Sequence, residues 1–525
     1  VNATGVTGAV SVTGAGTVNA ASSTGTVALT ALGVAAQDAL DLNINAAAAS
    51  TVTTAVGFTG AISINAAAAT SVDVNNATGG VTIVAASAPT AATTIAIGNM
   101  DASGGTITTG AFSSTITGAL NLEGTTGTSD TVTINGAGAI ALNTNSDGVA
   151  TDQIENLVLG GNGATVTYTI NSGDAIESIT TSGSSLVNVA IASDDVSSET
   201  VTGVNNLELN AAGGSAVDLT NVSATLIDFG ADIGQTTTVA GASEVIKIDV
   251  DQTGLTLLTN VDGSSITLQA GDDTAGSTQS TIALGALDMN DTKDFGTVNL
   301  VAETARITAT TFDVADAALN ISGDENVTFT STVTSGTINA SSHTGVLTLT
   351  LSEATTLTTG TAADQITMND GAAGLIQNVS TGAGNDVVTV TNTGVGSVIT
   401  TGDGTDTINF DQTNAVAANG GAGNDNYTIG NVVADVAITD DSGTDTLTFD
   451  AAGAVNLSAA ASFSFSGIET VDITAVNNTI TMDDADLSGK TLTLTGDAAA
   501  DILKALGGDA AAETIDLSGI TVSGT

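Results

Sequence analysis

Short runs in which every second residue is apolar dominate this chain. Examples are Thr131–Asn135 (TVTIN), Val346–Ser352 (VLTLTLS) and Thr491–Gly496 (TLTLTG), each bordered by Gly, Asn or Asp. A period of two with β-branched residues, bounded by turn-forming residues, predicts short β-strands joined by tight turns. One segment, Ala500–Gly508 (ADILKALGG), has a helical pattern instead, and we predict a short helix there.

Related sequence units recur at a constant interval. A unit of Thr-Gly followed by alternating apolar residues begins at Thr7, Thr24, Thr59, Thr78 and Thr117. The starts are 17, 35, 19 and 39 residues apart, close to one or two multiples of a period of about 18–20 residues. A longer segment, Gly16–Thr30, matches Gly336–Thr350 at most positions. Such a period indicates one supersecondary unit stacked many times.

A coil of this length has room for two or three short strands and the turns between them. Stacking such coils pairs each strand with the equivalent strand of the next coil, which produces parallel sheets around a narrow interior. Val, Ile, Leu and Ala suit that interior, while Thr, Ser and Asn suit its outside. We therefore predict an all-β fold, a right-handed parallel β-helix or β-solenoid.

The composition adds a strong charge imbalance to this picture. The chain has 55 Asp and Glu but only 5 Lys and Arg, for a formal net charge of -50. Nucleic acid and anionic membranes are not expected partners, because binding phosphate requires basic residues. Repulsion on this scale destabilises a compact chain, so multivalent cations are the simplest compensation. There is no Cys to form disulfides, and no apolar run is long enough to predict a membrane span.

Four Gly-Asp turns point to where such cations would bind. They lie in Thr381–Val390 (TGAGNDVVTV), Thr401–Phe410 (TGDGTDTINF), Asn419–Gly430 (NGGAGNDNYTIG) and Asp440–Phe449 (DDSGTDTLTF). Their aspartates, at positions 386, 406, 425 and 445, are 20, 19 and 20 residues apart, so they should stack on one edge of the solenoid. Stacked carboxylates repel one another unless cations lie between them, and Ca²⁺ takes 6–8 hard oxygen ligands.

Glycines in these turns permit positive φ angles and let backbone carbonyls join the carboxylates as ligands. Each turn would then supply half of a site that the turn one coil away completes, giving several Ca²⁺ ions on one edge. The predicted metal-binding residues are Gly382, Gly384, Asp386, Gly402, Gly404, Asp406, Gly420, Gly421, Gly423, Asp425, Gly443 and Asp445.

These turns resemble the calcium-binding nonapeptide of the RTX family of β-roll proteins, G-G-x-G-x-D followed by an alternating strand. Gly420–Thr428 (GGAGNDNYT) matches every fixed position. Thr381 and Thr401 replace the first glycine in two other copies, and Thr359–Thr367 (TGTAADQIT) is a weaker relative. In the last copy Asp440 and Asp441 replace both leading glycines, and their carboxylates could serve as ligands.

The wider sequence resembles bacterial surface-layer (S-layer) proteins of the β-strand-repeat type, in which RTX-like turns lie inside a β-solenoid. Units such as Asn339–Thr350 (NASSHTGVLTLT) and Gly467–Thr474 (GIETVDIT) carry that resemblance. It implies type I secretion and calcium-dependent assembly into a lattice on the cell surface. We expect three regions: β-strand-repeat coils over 1–355, divisible into two sub-arrays, RTX-like coils over 356–450, and C-terminal coils over 451–525.

The expected function is structural rather than enzymatic. The partner would be the chain itself, in a lattice or filament, with cell-surface polysaccharide or lipopolysaccharide as a further candidate. One alternative is an adhesin or ice-binding segment of a larger RTX protein, suggested by Thr-x-Thr pairs such as Thr348/Thr350. A third is a polysaccharide-degrading β-helix enzyme, for which the candidates are paired acids and Arg306.

The acid pairs are Asp194–Asp195, Asp272–Asp273 and Asp483–Asp484, and no aromatic platform for a sugar accompanies them. We interpret them as acidic turns. The single histidine, His343, is expected in a solvated turn. Met100, Met289, Met368 and Met482 are expected to fill the core.

Overall fold

The computed structural model confirms an all-β parallel β-solenoid. It describes residues 1–14, 16–30, 42–46, 48–49, 51–54, 62–65, 71–74, 81–84, 94–96, 106–109, 119–121, 131–144, 154–171, 176–212, 215–241, 244–271, 281–289, 293–314, 317–371, 374–411, 414–430, 435–450, 455–457, 463–473, 479–496, 502–506 and 519–523. The chain divides into two compact units, the first comprising 1–240 and 244–250 and the second 241–243 and 251–525.

Two main stacks of strands form the first unit. One stack contains Val10–Thr13, Thr26–Thr30, Thr51–Thr54, Ser71–Val74 and Thr94–Ala96. The other contains Thr17–Asn19, Leu42–Asn45, Ile62–Asn65, Val81–Val84, Thr106–Thr109, Ala119–Asn121, Thr131–Asn143, Asn156–Asn171, Ser178–Ser182, Leu186–Ala192, Thr200–Ala211, Val222–Phe229 and Glu244–Ile248. Val217–Leu219 and Thr236–Val239 form a further parallel pair.

The second unit also has two main stacks, here called its first and second sheets. The first sheet contains Ser264–Ala270, Phe295–Ala302, Ala318–Gly323, Thr337–His343, Thr355–Thr358, Gln377–Ser380, Ser397–Asp403, Val416–Ala422, Val436–Thr439 and Ser464–Ser466. The second sheet contains Leu255–Thr259, Thr281–Ala283, Ala286–Asp288, Arg306–Ala309, Thr311–Asp313, Val327–Thr334, Leu347–Leu351, Gln365–Asn369, Val387–Asn392, Thr407–Phe410, Asn426–Ile429, Thr446–Phe449, Thr470–Asp472, Leu492–Thr495 and Ile520–Ser523.

Successive coils of the second unit pair residue for residue. Thr407 pairs with Asn426, and Asn426 pairs with Thr446, all in parallel strands. Inward and outward residues alternate along most of these strands. In one of them Leu347, Leu349 and Leu351 are buried while the threonines between them are partly exposed. Burying each large apolar side chain contributes roughly 1.5–3 kcal/mol, and repetition of this pattern builds the core.

Large aromatic side chains fill the cores of both units in the part of the chain that the structure describes. Tyr168, Tyr427, Phe229, Phe312 and Phe410 are among the largest fully buried residues. The prediction that methionines fill the core is confirmed for three of them and falls outside the described residues for Met100. Those three are Met289, Met368 and Met482, each at most 1% exposed.

The helix predicted for Ala500–Gly508 is wrong. Ile502–Leu506 is a strand that pairs in parallel with Thr479–Asp483, and with Val455–Asn456 they form a small third sheet. A helix of this length is marginal alone, whereas pairing with the preceding coil satisfies the backbone. A helical turn is present instead at Asp484–Leu487. No helix in the described part of the chain is both long and apolar enough to cross a membrane.

One of the five cationic side chains is buried in the first unit. The Lys247 Nζ lies 3.2 Å from Asp249 Oδ2 and 3.9 Å from Asp228 Oδ2. Asp228 and Lys247 are paired positions on neighbouring strands. Burial raises the pKa of Asp228 to about 7, reinforced by the nearby Asp249 carboxylate. A buried ion pair contributes little net stability. Removing one of its partners destabilises the fold by several kcal/mol, because the other charge is left buried and unpaired.

Candidate metal centre

The four predicted aspartates stack on one edge of the second unit, as their spacing indicated, and a fifth joins them. We call Asp364, Asp386, Asp406, Asp425 and Asp445 the aspartate ladder. Each is at most 2% exposed. Each immediately precedes a strand of the second sheet, so the parallel register of that sheet places them one above another.

A regular chain of hydrogen bonds connects the aspartate ladder. In each case one carboxylate oxygen accepts a hydrogen bond from the backbone amide of the aspartate in the preceding coil. The distances are 2.8 Å from Asp364 N to Asp386 Oδ1, 2.8 Å from Asp386 N to Asp406 Oδ1, 2.8 Å from Asp406 N to Asp425 Oδ1, and 2.9 Å from Asp425 N to Asp445 Oδ1. Hydrogen bonds to a carboxylate are roughly twice as strong as neutral ones, so the ladder joins consecutive coils.

The second carboxylate oxygen of the central ladder residues is left without a donor. Oδ2 of Asp386, Asp406 and Asp425 is buried and has no hydrogen-bond partner in the described part of the chain. An unsatisfied buried acceptor costs about 1–3 kcal/mol, and more when it is charged. Either a proton or a cation would relieve that cost.

A second column of residues lies within or directly after strands of the first sheet, beside the aspartate ladder. We call Thr359, Thr381, Thr401, Gly420 and Asp440 the turn column. Its threonines are buried, and each hydroxyl donates to the carbonyl of the next member: 2.7 Å from Thr359 to Thr381, 3.1 Å from Thr381 to Thr401, and 2.9 Å from Thr401 to Gly420. The threonines that replace the first motif glycine therefore have a structural role, since their hydroxyls form hydrogen bonds between coils.

Gly420 is required for a different reason from the other motif glycines. A Cβ at this position would lie 2.5 Å from Asp425 Oδ2, 2.5 Å from Tyr427 Oη and 2.6 Å from Asp440 Oδ2. Its φ angle is not in the left-handed region, which differs from the sequence expectation. The absence of a side chain makes room for three oxygens that converge from two coils.

The remaining motif glycines have positive φ, as predicted. The values are 91° for Gly382, 133° for Gly384, 99° for Gly402, 159° for Gly404, 99° for Gly421, 143° for Gly423 and 155° for Gly443. They also stack closely: a Cβ on Gly404, Gly423 or Gly443 would overlap a carbonyl oxygen of the glycine one coil earlier. Contact between coils, as well as backbone conformation, therefore demands glycine here.

Three carboxylates meet at the coil that carries the complete motif. Ligand oxygens of Asp425, Asp440 and Asp445 all lie within 4.8 Å of one another. We call these residues the acidic triad; among the described residues they form the one such acidic group. Asp425 and Asp445 come from the aspartate ladder, and Asp440 comes from the turn column. The Asp440 carboxylate is held by Tyr427, whose hydroxyl donates to Oδ2 at 2.7 Å.

This donor set fits calcium. Ca²⁺–oxygen distances of 2.3–2.6 Å place opposite ligands roughly 4.6–5.2 Å apart, and carboxylates are its preferred ligands. Oxygens within 4.8 Å of one another can therefore share one such ion. Asp425 is 2% exposed and its Oδ2 lacks a donor. The acidic triad and the aspartate ladder could thus hold metal, whereas ions between every successive pair of aspartates stay a prediction.

Burial also makes these carboxyl groups hold protons more tightly. It raises the pKa of Asp386 to about 7 and that of Asp440 to about 6. The same cause raises the pKa of Asp406, Asp425 and Asp445 above the ordinary range. A cation bound at neutral pH would take the place of these protons.

We expect the metal-free protein to lose stability as pH rises. Aspartate in the unfolded chain has a pKa near 3.9, so between about pH 4 and 7 the folded state binds more protons than the unfolded state. Stability then falls with increasing pH across that window. Thermal unfolding in EGTA at pH 5 and pH 8 should give the higher midpoint at pH 5.

Repulsion among all the acidic residues of the chain also lowers stability as pH rises. A matched pair of variants separates this general effect from the effect of the aspartate ladder. Asp386→Asn should flatten the pH dependence of the thermal midpoint. Asp403→Asn removes a carboxylate at an exposed position and should leave that dependence as it is in the unmodified chain. Equal slopes for the two variants would show that the aspartate ladder does not hold the protons.

The ends of the ladder contain residues that sequence reasoning missed. At one end, Glu469 accepts a hydrogen bond from Asp445 N at 2.9 Å. At the other, His343 lies beside Asp364 and is 1% exposed, so its expected place in a solvated turn is wrong. Burial lowers the pKa of His343. In its strand, Thr337–His343, two successive exposed residues, Ser341 and Ser342, interrupt the alternation, so the imidazole faces inward.

Other candidate residues are dispersed. Arg306 is an exposed side chain 3.5 Å from Glu325. Asp194–Asp195 lies in a turn, Asp483–Asp484 adjoins the helical turn, and Asp272–Asp273 lies outside the described residues. The structure does not bring the two described pairs into the acidic triad.

The chain matches no protein-family model, no curated protein and no solved structure. Fold and site together nevertheless define a class of molecule. It is a parallel β-solenoid in which a stacked ladder of buried aspartates joins successive coils, and the last two aspartates of the ladder belong to an acidic triad.

Proposed function

We propose that this chain is a secreted, non-enzymatic structural protein whose solenoid is stabilised by calcium and assembles with copies of itself on a bacterial cell surface. The observation that carries the proposal is the acidic triad. Three carboxylates within 4.8 Å, in a chain with a net charge of -50, coexist in their ionised form only with a counterion.

The residues of the site have distinct roles in this proposal. Asp425, Asp440 and Asp445 hold the ion, and because they come from two successive coils the ion couples those coils. Gly420 leaves the space that their oxygens occupy. Tyr427 orients Asp440 through its hydroxyl, which also accepts a hydrogen bond from Gly420 N at 2.5 Å.

An extracellular location suits such a site. Calcium modules outside cells commonly bind with Kd values of about 10⁻⁴–10⁻³ M, so the ion would bind after export and complete folding there. The resemblance of the turns to RTX repeats, and of the wider chain to S-layer proteins, supports this route. Cell-surface polysaccharide or lipopolysaccharide is the proposed anchor for the lattice or filament.

Electron microscopy tests the proposal directly. We expect negative-stain images of the purified chain to show ordered sheets or filaments in millimolar calcium and dispersed particles after EGTA is added. Monomers that persist in calcium and bind a glycan would instead identify an adhesin. Polymers that are unchanged in excess EGTA would contradict the calcium dependence.

A further inference from the structure

One broad face of the second unit carries a regular array of hydroxyl groups. It belongs to six consecutive strands of the second sheet, from Leu347–Leu351 to Thr446–Phe449. Their outward side chains form two columns of six residues. The first column contains Thr348, Gln365, Val387, Thr407, Asn426 and Thr446. The other column contains Thr350, Thr367, Thr389, Asn409, Thr428 and Thr448. We call these two columns the threonine face.

The threonine face is uncharged although the protein is strongly acidic. Eight of its twelve residues are threonine and none is charged. Exposed acidic residues of the same coils lie outside the strands of this face, as at Asp403, Asp411, Asp441 and Asp450. Two molecules that each carry a charge of -50 repel one another wherever such turns face each other. A neutral face allows close approach.

We propose that the threonine face is the surface on which a second copy of this chain packs, threonine face against threonine face. This inference rests on the proposed self-assembly and assigns it a surface. The spacing between strands, about 4.8 Å, is the same on both copies. Successive residues of a column on one copy therefore lie level with successive residues of the facing column on the other copy. Facing sheets with identical side chains interdigitate in this manner in steric zippers.

The available area is at the lower limit for a specific contact. The array continues over Thr470–Asp472, Leu492–Thr495 and Ile520–Ser523, with Asp472 as the single charged outward residue. Nine strands at about 4.8 Å and a width of about 14 Å give roughly 600 Å² per copy. A standard specific interface uses about 800 Å² per partner, so one such contact is weak and repetition in a lattice would strengthen it.

The aspartate ladder connects this face to calcium. Each ladder residue comes directly before a strand of the face, and its carbonyl accepts the first hydrogen bond from the next strand. Asp386 O accepts from Thr407 N, Asp406 O from Asn426 N, and Asp425 O from Thr446 N, each at 2.8 Å. An ion at the acidic triad would therefore hold together the two coils that contribute Asn426–Ile429 and Thr446–Phe449 to the face.

Two matched double variants test the assignment. Thr389→Glu with Thr428→Glu places two charges on the threonine face, two coils apart. Thr358→Glu with Thr400→Glu places the same charges, also two coils apart, on outward positions of the first sheet. Sedimentation in calcium should show that the first variant needs at least a tenfold higher concentration to assemble, while the second assembles like the unmodified chain. Equal thermal midpoints would confirm that both fold.

The outcomes separate this inference from the proposed function. If the unmodified chain assembles and the threonine-face variant does so equally well, or if only the first-sheet variant fails, the assigned surface is wrong. If the unmodified chain stays monomeric in calcium, the proposed function itself fails. If monomers instead adsorb to ice and the threonine-face variant does not, the face binds a water lattice rather than a second copy, and the inference is overturned.

Discussion

Gly423→Ala should destabilise the second unit by more than about 4 kcal/mol, a loss that few single substitutions cause. Gly423 has a φ of 143°, and a Cβ there would overlap the carbonyl oxygen of Gly404 in the preceding coil. The clash is with backbone, which cannot rotate aside as a side chain can. Relief would require the two coils to separate, which breaks the hydrogen bonds of the aspartate ladder beside them.

Gly396 provides the matched control. It also has a positive φ, 96°, but nothing lies within 4 Å of a Cβ built on it. Gly396→Ala should therefore cost only the conformational penalty, about 1–2 kcal/mol. Urea unfolding in calcium measures both losses. Similar values for the two variants would mean that backbone conformation, rather than contact between coils, explains the motif glycines.

Asp440→Asn should reverse its effect on stability when calcium is removed. With calcium, the substitution removes a ligand, and the unmodified chain should be more stable by up to about 2.7 kcal/mol at a hundredfold excess over Kd. In EGTA the variant should be the more stable protein, because Asp440 no longer repels Asp425 and Asp445. A crossover of this kind is specific for a cation held by the acidic triad.

Tyr427 offers a local signal for that experiment. The chain has two tyrosines and no tryptophan, so Tyr168→Phe leaves Tyr427 as the single tyrosine. With the triad intact, the fluorescence of Tyr427 should change with added calcium and reach saturation. In Asp440→Asn the fluorescence should change little over the same calcium range. Asp441→Asn, at the exposed neighbouring position, is the control and should titrate normally. An unchanged calcium response in Asp440→Asn would place the ion elsewhere, for example between Asp386 and Asp406 as the spacing first suggested.

The sequence alone was sufficient for the fold class and for the stacking of Asp386, Asp406, Asp425 and Asp445. Both are consequences of periodicity: in a solenoid with parallel register, residues one period apart must occupy equivalent places on adjacent coils. Asp364 was visible as a weaker copy of the same turn. The alternation of apolar and polar residues likewise fixed which side chains face the core, because successive side chains of a strand point to opposite sides.

Only the tertiary structure decided how the site is built. It showed that one oxygen of each ladder carboxylate is occupied by a backbone amide of the preceding coil, and that Asp440 and Tyr427 converge over Gly420. It also buried His343 and made Ile502–Leu506 a strand. These features depend on which groups of neighbouring coils meet across a few ångströms. Turn length and side-chain reach determine these contacts between coils. The repeat pattern of the sequence specifies neither of them.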